Sequence, residues 1–285
     1  MENQANEKKI ELRKAETPSK YLTRIPKVDM ESDFYEEVEK NSEELFEIVA
    51  DGEVIGLAYV EDEEEAYIYI YIFAEHRGKG YSYPAALAAE RSIKTVPPKS
   101  IHTGYDANNA IAKRLAEKCG YAPKYASALM KYGGEKFDED ELPIRPYREE
   151  DFDEAYTLTD EAFHKMRLET GQFPDSKQTP PTEKTRENWS KAAEDSFIYV
   201  VDGEMVGRAR LSGRELAIVA IKIARQGEGF GRKFVKYLTN RLIEKGLGEP
   251  ALWCIVGNDK ARKLYESLGY RETDRAEYSA KRIVD

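Results

Sequence analysis

The stretch "RQGEGFGRKF", Arg225–Phe234, sets Gly227, Gly229 and Gly231 at alternate positions. Before it, Leu216 to Ile223 is an almost wholly apolar run that reads as a strand. After it, Phe234, Leu238 and Leu242 recur at helical spacing, with Lys245 late and Gly246 just beyond. A glycine loop between a strand and a helix start lets the backbone approach a phosphate, which free N–H groups and the positive dipole end can then bind. A dinucleotide fingerprint is excluded, because Arg232 stands where the last glycine of G-x-G-x-x-G belongs. The pattern that fits is R/Q-x-x-G-x-G/A, at Gln226, Gly229 and Gly231.

The chain carries this plan twice. "ELFEIVADGEVIGLAYV" (Glu44–Val60) and "DSFIYVVDGEMVGRARL" (Asp195–Leu211) each read as strand, Asp-Gly-Glu turn and strand. An apolar run follows in each copy, then a glycine loop, "RGKGYS" or "QGEGFG". A Walker loop is excluded for the first of these, where Gly80 follows Lys79 in place of Ser or Thr. From the loop onward the copies hold a constant offset of 149 residues, from Arg77 to Gln226, Asn109 to Asn258 and Tyr121 to Tyr270. Register kept over about 45 residues marks a tandem duplication. Paired glycines, an acidic run and a proline in "YGGEKFDEDELP" (Tyr132–Pro143) set the expected boundaries at 1–134, a linker over 135–143, and 144–285. Within the second copy, the Pro- and Thr-rich segment "LETGQFPDSKQTPPTEKTRENW" reads as a long loop with a short helix, of the kind that selects substrate.

The 285 residues are 41% hydrophobic and 34% charged, which suits a globular protein of two domains. No apolar run reaches the length of a membrane span, and "MENQANEKKIELRKAE" has no apolar core behind its charges. A cytoplasmic protein is expected, with disorder in the first few residues. Cys119 and Cys254 are far apart and outside any CxxC motif, so a disulfide framework and a zinc site are not expected; both cysteines read as inert packing. A formal charge of −10 argues against nucleic acid and favours a cationic ligand such as an amine at long range. His76, His102 and His164 show no spacing that suggests a metal or a triad.

The loop and the later segment "NDKARKLYESLGY", similar to N-x-x-A-x-x-L-Y-x-x-x-G-F/Y, resemble the GNAT superfamily of acyl-CoA N-acyltransferases over nearly the whole chain. The resemblance implies an α/β (mixed α+β) fold of two tandem GNAT-like domains, each a twisted mixed sheet flanked by helices. Acetyl-CoA would lie where two central strands splay. It implies cofactor contacts from Ile221, Lys222, Ile223, Gln226, Gly227, Glu228, Gly229, Phe230, Gly231, Arg232 and Asn258. Lys222, Arg225, Arg232 and Lys233 make the loop locally basic, which reads equally as attraction for the coenzyme's phosphates or as a solvated face.

Acyl transfer from a thioester to an amine needs a neutral amine, a polarised carbonyl and a proton for the departing thiolate. Thiol and tyrosine pKa values, about 8.5 and 10, lie close enough for a tyrosine to donate at little cost. Tyr265 falls on the family's tyrosine position and is the expected acid; its bland alternative is a core tyrosine beside Leu264 and Leu268. Glu215, at the start of the preceding strand, resembles the family's base, its bland alternative being an exposed glutamate at a strand start, and backbone N–H groups around Ile221–Ile223 would polarise the carbonyl. In the first copy Ser82 replaces the last loop glycine, Ala116 the tyrosine and Ala66 the glutamate, so a catalytically degenerate N-terminal domain is expected. Arg77, Gly78, Lys79, Gly80, Tyr81 and Ser82 remain a second candidate cofactor site. One silent and one active half is similar to tandem acyltransferases of the mycothiol synthase type. The leading expectation is an acetyl-CoA-dependent N-acetyltransferase for a small-molecule amine, acting through its C-terminal domain. Open beside it are a non-catalytic acyl-CoA-binding or interaction protein and a GNAT-fold transferase with another acyl donor.

Overall fold

The computed structural model describes residues 9–28, 32–94, 99–138 and 141–282; the N-terminal residues expected to be disordered and two linker residues, 139 and 140, lie outside it. The chain forms two compact units, Met1–Ala126 with Ala276–Asp285, and Ser127–Arg275.

The first repeat supplies β1 (Ile10–Lys14), α1 (Ser32–Glu39), β2 (Leu45–Ala50), β3 (Glu53–Glu61), β4 (Glu65–Ile72), α2 (Ser82–Ser92), β5 (Ser100–Asp106), α3 (Ala110–Lys118) and β6 (Ala122–Lys131). The second supplies β7 (Ile144–Pro146), α4 (Phe152–Glu169), α5 (Glu183–Lys191), β8 (Ser196–Val201), β9 (Glu204–Ser212), β10 (Glu215–Ile221), α6 (Phe230–Lys245), β11 (Ala251–Ile255), α7 (Asp259–Ser267) and β12 (Arg271–Arg282). In the first unit the strand order is β1-β2-β3-β4-β5-β12, antiparallel except for the parallel β4–β5 pair. In the second it is β7-β8-β9-β10-β11-β6, again antiparallel except for the parallel β10–β11 pair.

The sixth strands are exchanged. Ala276–Arg282 of β12 pair with β5, while Ser127–Lys131 of β6 pair with β11. The compact units therefore depart from the expected 1–134 and 144–285, because the last strand of each repeat completes the other repeat's ladder. The expected linker is also tied down at one point: Asn240 on α6 accepts from Phe137 N–H at 2.8 Å and donates to Phe137 O at 2.9 Å.

Helices cover both faces of each sheet. In the second unit Phe234, Val235, Leu238 and Leu242 of α6 pack on Val206, Leu211 and Leu216, while Phe152, Ala155, Leu158 and Ala162 of α4 pack on Ile198, Met205 and Ala220. In the first unit Ala85, Ala86 and Ala89 of α2 fill one face and Phe34 and Val38 of α1 the other. Both hairpin turns place Asp and Gly at positive φ, Asp51 and Gly52 at 51° and 83°, Asp202 and Gly203 at 52° and 81°, as a type I′ turn requires. No helix among the described residues is long and apolar enough to cross a membrane.

Candidate active site

β10 meets β11 only at Glu215 opposite Ala251. From Leu216 to Ile221 it pairs with β9 alone, so the two parallel strands part and leave one backbone edge of β10 open. β4 and β5 part in the same way beyond Tyr67 opposite His102. Peptide groups alternate edges along a strand. Lys222 N–H donates to Val206 O at 2.9 Å, so the N–H and C=O of Ile221 turn toward the gap. Of the expected carbonyl-polarising set, Lys222 N–H is thus already spent, and Ile221 N–H is the one aimed into the opening.

The glycine loop closes the end of this gap. Gly227 and Gly229 lie at φ 89° and 88°, and an added Cβ at either would meet no heavy atom within 4 Å. Backbone conformation alone restricts side chains there, and the space before the first turn of α6 is free. At Gly231 a Cβ would touch Leu264 and Ile221 at 3.6 and 3.7 Å, ordinary contacts, so Ser82 at the matching place in the first copy needs no rearrangement. Gln226 Nε2 donates to Ile221 O at 3.1 Å, and Arg77 Nε donates to Ile72 O at 2.9 Å. The Gln/Arg position of the motif thus pins the loop to the last strand carbonyl in both copies.

Of the four cations that make the loop basic, Lys222 and Arg225 are paired with carboxylates. Arg225 holds Glu228 through two bonds of 3.0 Å and Glu204 through one of 2.5 Å, while Lys222 Nζ lies 2.7 Å from Glu204. The bonds to Glu228 and Glu204 raise the Arg225 pKa above its ordinary value, and the bond to Glu204 does the same for Lys222. Arg232 reaches Ser267 on α7, and Phe230 packs edge-on against Tyr199 at 5.6 Å. Glu204 was not singled out in the sequence. Its signal is the glutamate after Asp-Gly in both hairpins, since Glu53 likewise sits 3.5 Å from the imidazole of His76 just before the first loop.

Tyr265 projects from α7, half-buried, with its ring centroid 6.0 Å from that of Tyr270. Its hydroxyl has no hydrogen-bond partner among the described residues. Burial, reinforced by Cys254 and Tyr270, pushes its pKa well above 10 and keeps it protonated. Cys254 on β11 is buried, which pushes its thiol up to about 11 and leaves it inert. Asn258 is the N-cap of α7, its Oδ1 accepting from Ala261 N–H at 3.4 Å, and Asn109 caps α3 in the same way at 3.0 Å. A backbone role thus accounts for an asparagine that the resemblance assigned to cofactor.

Glu215 opens β10, and a bulge at Ala217 decides what it faces. The ladder pairs Leu216 with Leu211 and then Ile218 with Arg210, skipping Ala217. Leu216 consequently packs toward α6, whereas Ile218 faces the side of α5. Glu215, opposite in sense to Leu216, shares the face of Ile218, beside its rung partner Ser212. Arg208 and Arg210 lie on that same face of β9 and were likewise not singled out; two arginines alternating in the apolar "MVGRARL" were their signal. In the first copy Ala116 and Ala66 are both buried and offer no titratable group.

Residues 10–121 match the acetyltransferase (GNAT) family, and residues 202–279 match the FR47-like protein family, one match in each repeat. Comparison with curated proteins finds no match. Among solved structures, a GCN5-related N-acetyltransferase from Sphaerobacter thermophilus is similar with a TM-score of 0.69 at 19% identity, covering 97% of this chain and 96% of the other. A GNAT-family acetyltransferase from Colwellia psychrerythraea gives 0.60 at 13% identity, over 96% and 100% of the two chains. A tandem GNAT protein from the clavulanic acid biosynthesis pathway gives 0.64 at 10% identity, over 97% and 100%. At these identities the likeness is one of fold.

Proposed function

We propose that this protein, whose first repeat matches the acetyltransferase (GNAT) family and whose second matches the FR47-like family, is an acetyl-CoA-dependent N-acetyltransferase of a small-molecule amine, with its chemistry in the second repeat. The observation that carries this reading is the parting of β10 from β11 into an open glycine loop, with a protonated and unpartnered Tyr265 hydroxyl on the helix that follows β11. Gly227, Gly229 and the first turn of α6 would hold the pyrophosphate by backbone N–H groups, which suits a loop in which Lys222 and Arg225 are already paired with Glu204 and Glu228. The bound coenzyme would supply an activated acyl group as its thioester.

Each residue then has one task. Glu215 lies six residues, about 20 Å of strand, from Ile221, so it takes the proton of the acceptor's ammonium group through a relay of waters and not by direct contact. Ile221 N–H receives the negative charge that gathers on the carbonyl oxygen as the C–N bond forms. The nitrogen sheds its second excess proton to solvent as the intermediate collapses, while Tyr265 gives its proton to the sulfur as the C–S bond breaks and is reprotonated from solvent. Ala116 and Ala66 leave the first copy without acid or base, so any coenzyme held by Arg77–Ser82 would not be turned over.

Replacing Tyr265 with phenylalanine tests the reading, since it keeps the packed ring and removes only the hydroxyl. Thiol release from acetyl-CoA with a panel of amines should fall by about 10² to 10⁴, with coenzyme affinity within a few-fold and melting temperature little changed. Normal turnover on a substrate the parent uses would make Tyr265 a packing residue. Since burial holds the hydroxyl protonated beyond pH 10, any alkaline loss of rate below that pH belongs to another group.

A further inference from the structure

A cavity of about 260 Å³ opens on the α5 side of the β9–β10 ladder, lined by Thr182, Lys184, Asn188, Arg208 and Arg210, with Ile218 at its floor. No carboxylate is among its lining residues. Arg208 is 1% exposed, yet its Nε and Nη1 have no hydrogen-bond partner among the described residues, and neither has Nε of Arg210. The guanidinium plane stacks on Trp189, with Cζ 3.8 Å from the ring centroid, and its unpaired Nε and Nη1 are shielded from solvent behind the cavity that Arg208 and Trp189 line. A buried guanidinium without an anion is costly. Burial, then the like charge of Arg210, lowers its pKa, which marks a site that wants negative charge.

We propose that this cavity binds the anionic group of the acceptor, so that the substrate is a small amine bearing a carboxylate or a phosphate. The inference rests on the acyltransferase reading and places the acceptor by the ladder itself. Arg208, Arg210 and Ser212 occupy successive same-face rungs of β9, opposite Ala220, Ile218 and Glu215. An acceptor whose anion is held at Arg208 and Arg210 has its amine end free to lie along β10, toward Glu215 on one side or the gap at Ile221 on the other. The overall charge of −10 favours a cationic group at long range and the cavity favours an anionic one at contact; a zwitterionic acceptor satisfies both.

Matched pairs test this with the full chain: L-serine against L-serinamide for the carboxylate, and phosphoethanolamine against ethanolamine for the phosphate. Binding is read by calorimetry and melting temperature, with thiol release from acetyl-CoA measured separately. One charged member should bind at least about tenfold more tightly than its neutral partner, and Arg210→Gln should weaken it by about 10- to 100-fold, the worth of a charge-assisted bond. Arg208→Met should raise the melting temperature of the free protein while abolishing the response to the charged ligand; a merely structural arginine would lower it. Equal binding of charged and neutral partners, absence of binding by every charged member at millimolar concentration, or indifference to Arg210→Gln would each overturn the inference. Thiol release with neutral amines alone would leave acyl transfer standing without it. Charge-selective binding without thiol release would sink acyl transfer and leave the site.

Discussion

Glu47 on β2 shows how one carboxylate can carry an edge of the fold. It is 4% exposed and receives Arg13 at 2.6 Å, Tyr21 at 2.7 Å and Lys20 at 2.9 Å. Burial alone would raise its pKa, but the bonds from Tyr21, Lys20 and Arg13 outweigh it and bring the value from 4.5 down to about 2. A depressed carboxylate contributes stability that is present above its unfolded pKa and lost as pH falls through the folded one, so the window runs from about pH 4.5 to pH 2. Glu47→Gln should remove on the order of 3 kcal/mol at pH 7 and flatten stability across that window, read by denaturant titration at pH 7 and pH 3. An unchanged acid limb would show that other carboxylates govern it. At this scale the sequence was legible where a residue pair has one backbone use, as in the two Asp-Gly turns. It was not where partners come from afar, as for Arg225 with Glu204 or Arg208 with Trp189, because contacts across 21 and 19 residues depend on how strands and helices pack.

The glycine loop was legible as an element, since its spacing can be met only by a backbone that turns between strand and helix. The bulge at Ala217 was not, because "LAIVAIKI" is apolar on both faces and carries no parity to violate. The bulge puts Glu215 on the arginine face, so its position was readable and its surroundings were not. Gly229 gives the element-scale prediction. Valine there would meet open space yet be strained at φ 88°, and it would project where a pyrophosphate must approach. Coenzyme A affinity should fall roughly tenfold or more by calorimetry, and Gly229→Asn, which tolerates the left-handed region, should separate obstruction from strain. Undiminished affinity in both variants would remove the loop from the site.

Over the whole molecule, the duplication was plain in the sequence while the exchange of sixth strands was hidden by it. Two copies of one plan offer nearly equivalent strands for the same place, and which copy fills it is settled by long-range pairing that no local pattern records. Cutting the chain at the repeat boundary would therefore misplace both: residues 144–285 lack Ser127–Lys131, leaving β11 an open edge. A fragment of residues 127–275 should unfold cooperatively, whereas 144–285 should not, by circular dichroism during thermal melts; cooperative unfolding of the latter alone would show that the exchange is dispensable. The pairing of β5 with β12 also sets a timetable. A ribosome finishes β5 about 170 residues before it reaches Ala276, and throughout that interval the first-made copy waits with one flank of its sheet unfilled. What is translated first is thus completed last, and the two repeats reach their finished sheets together.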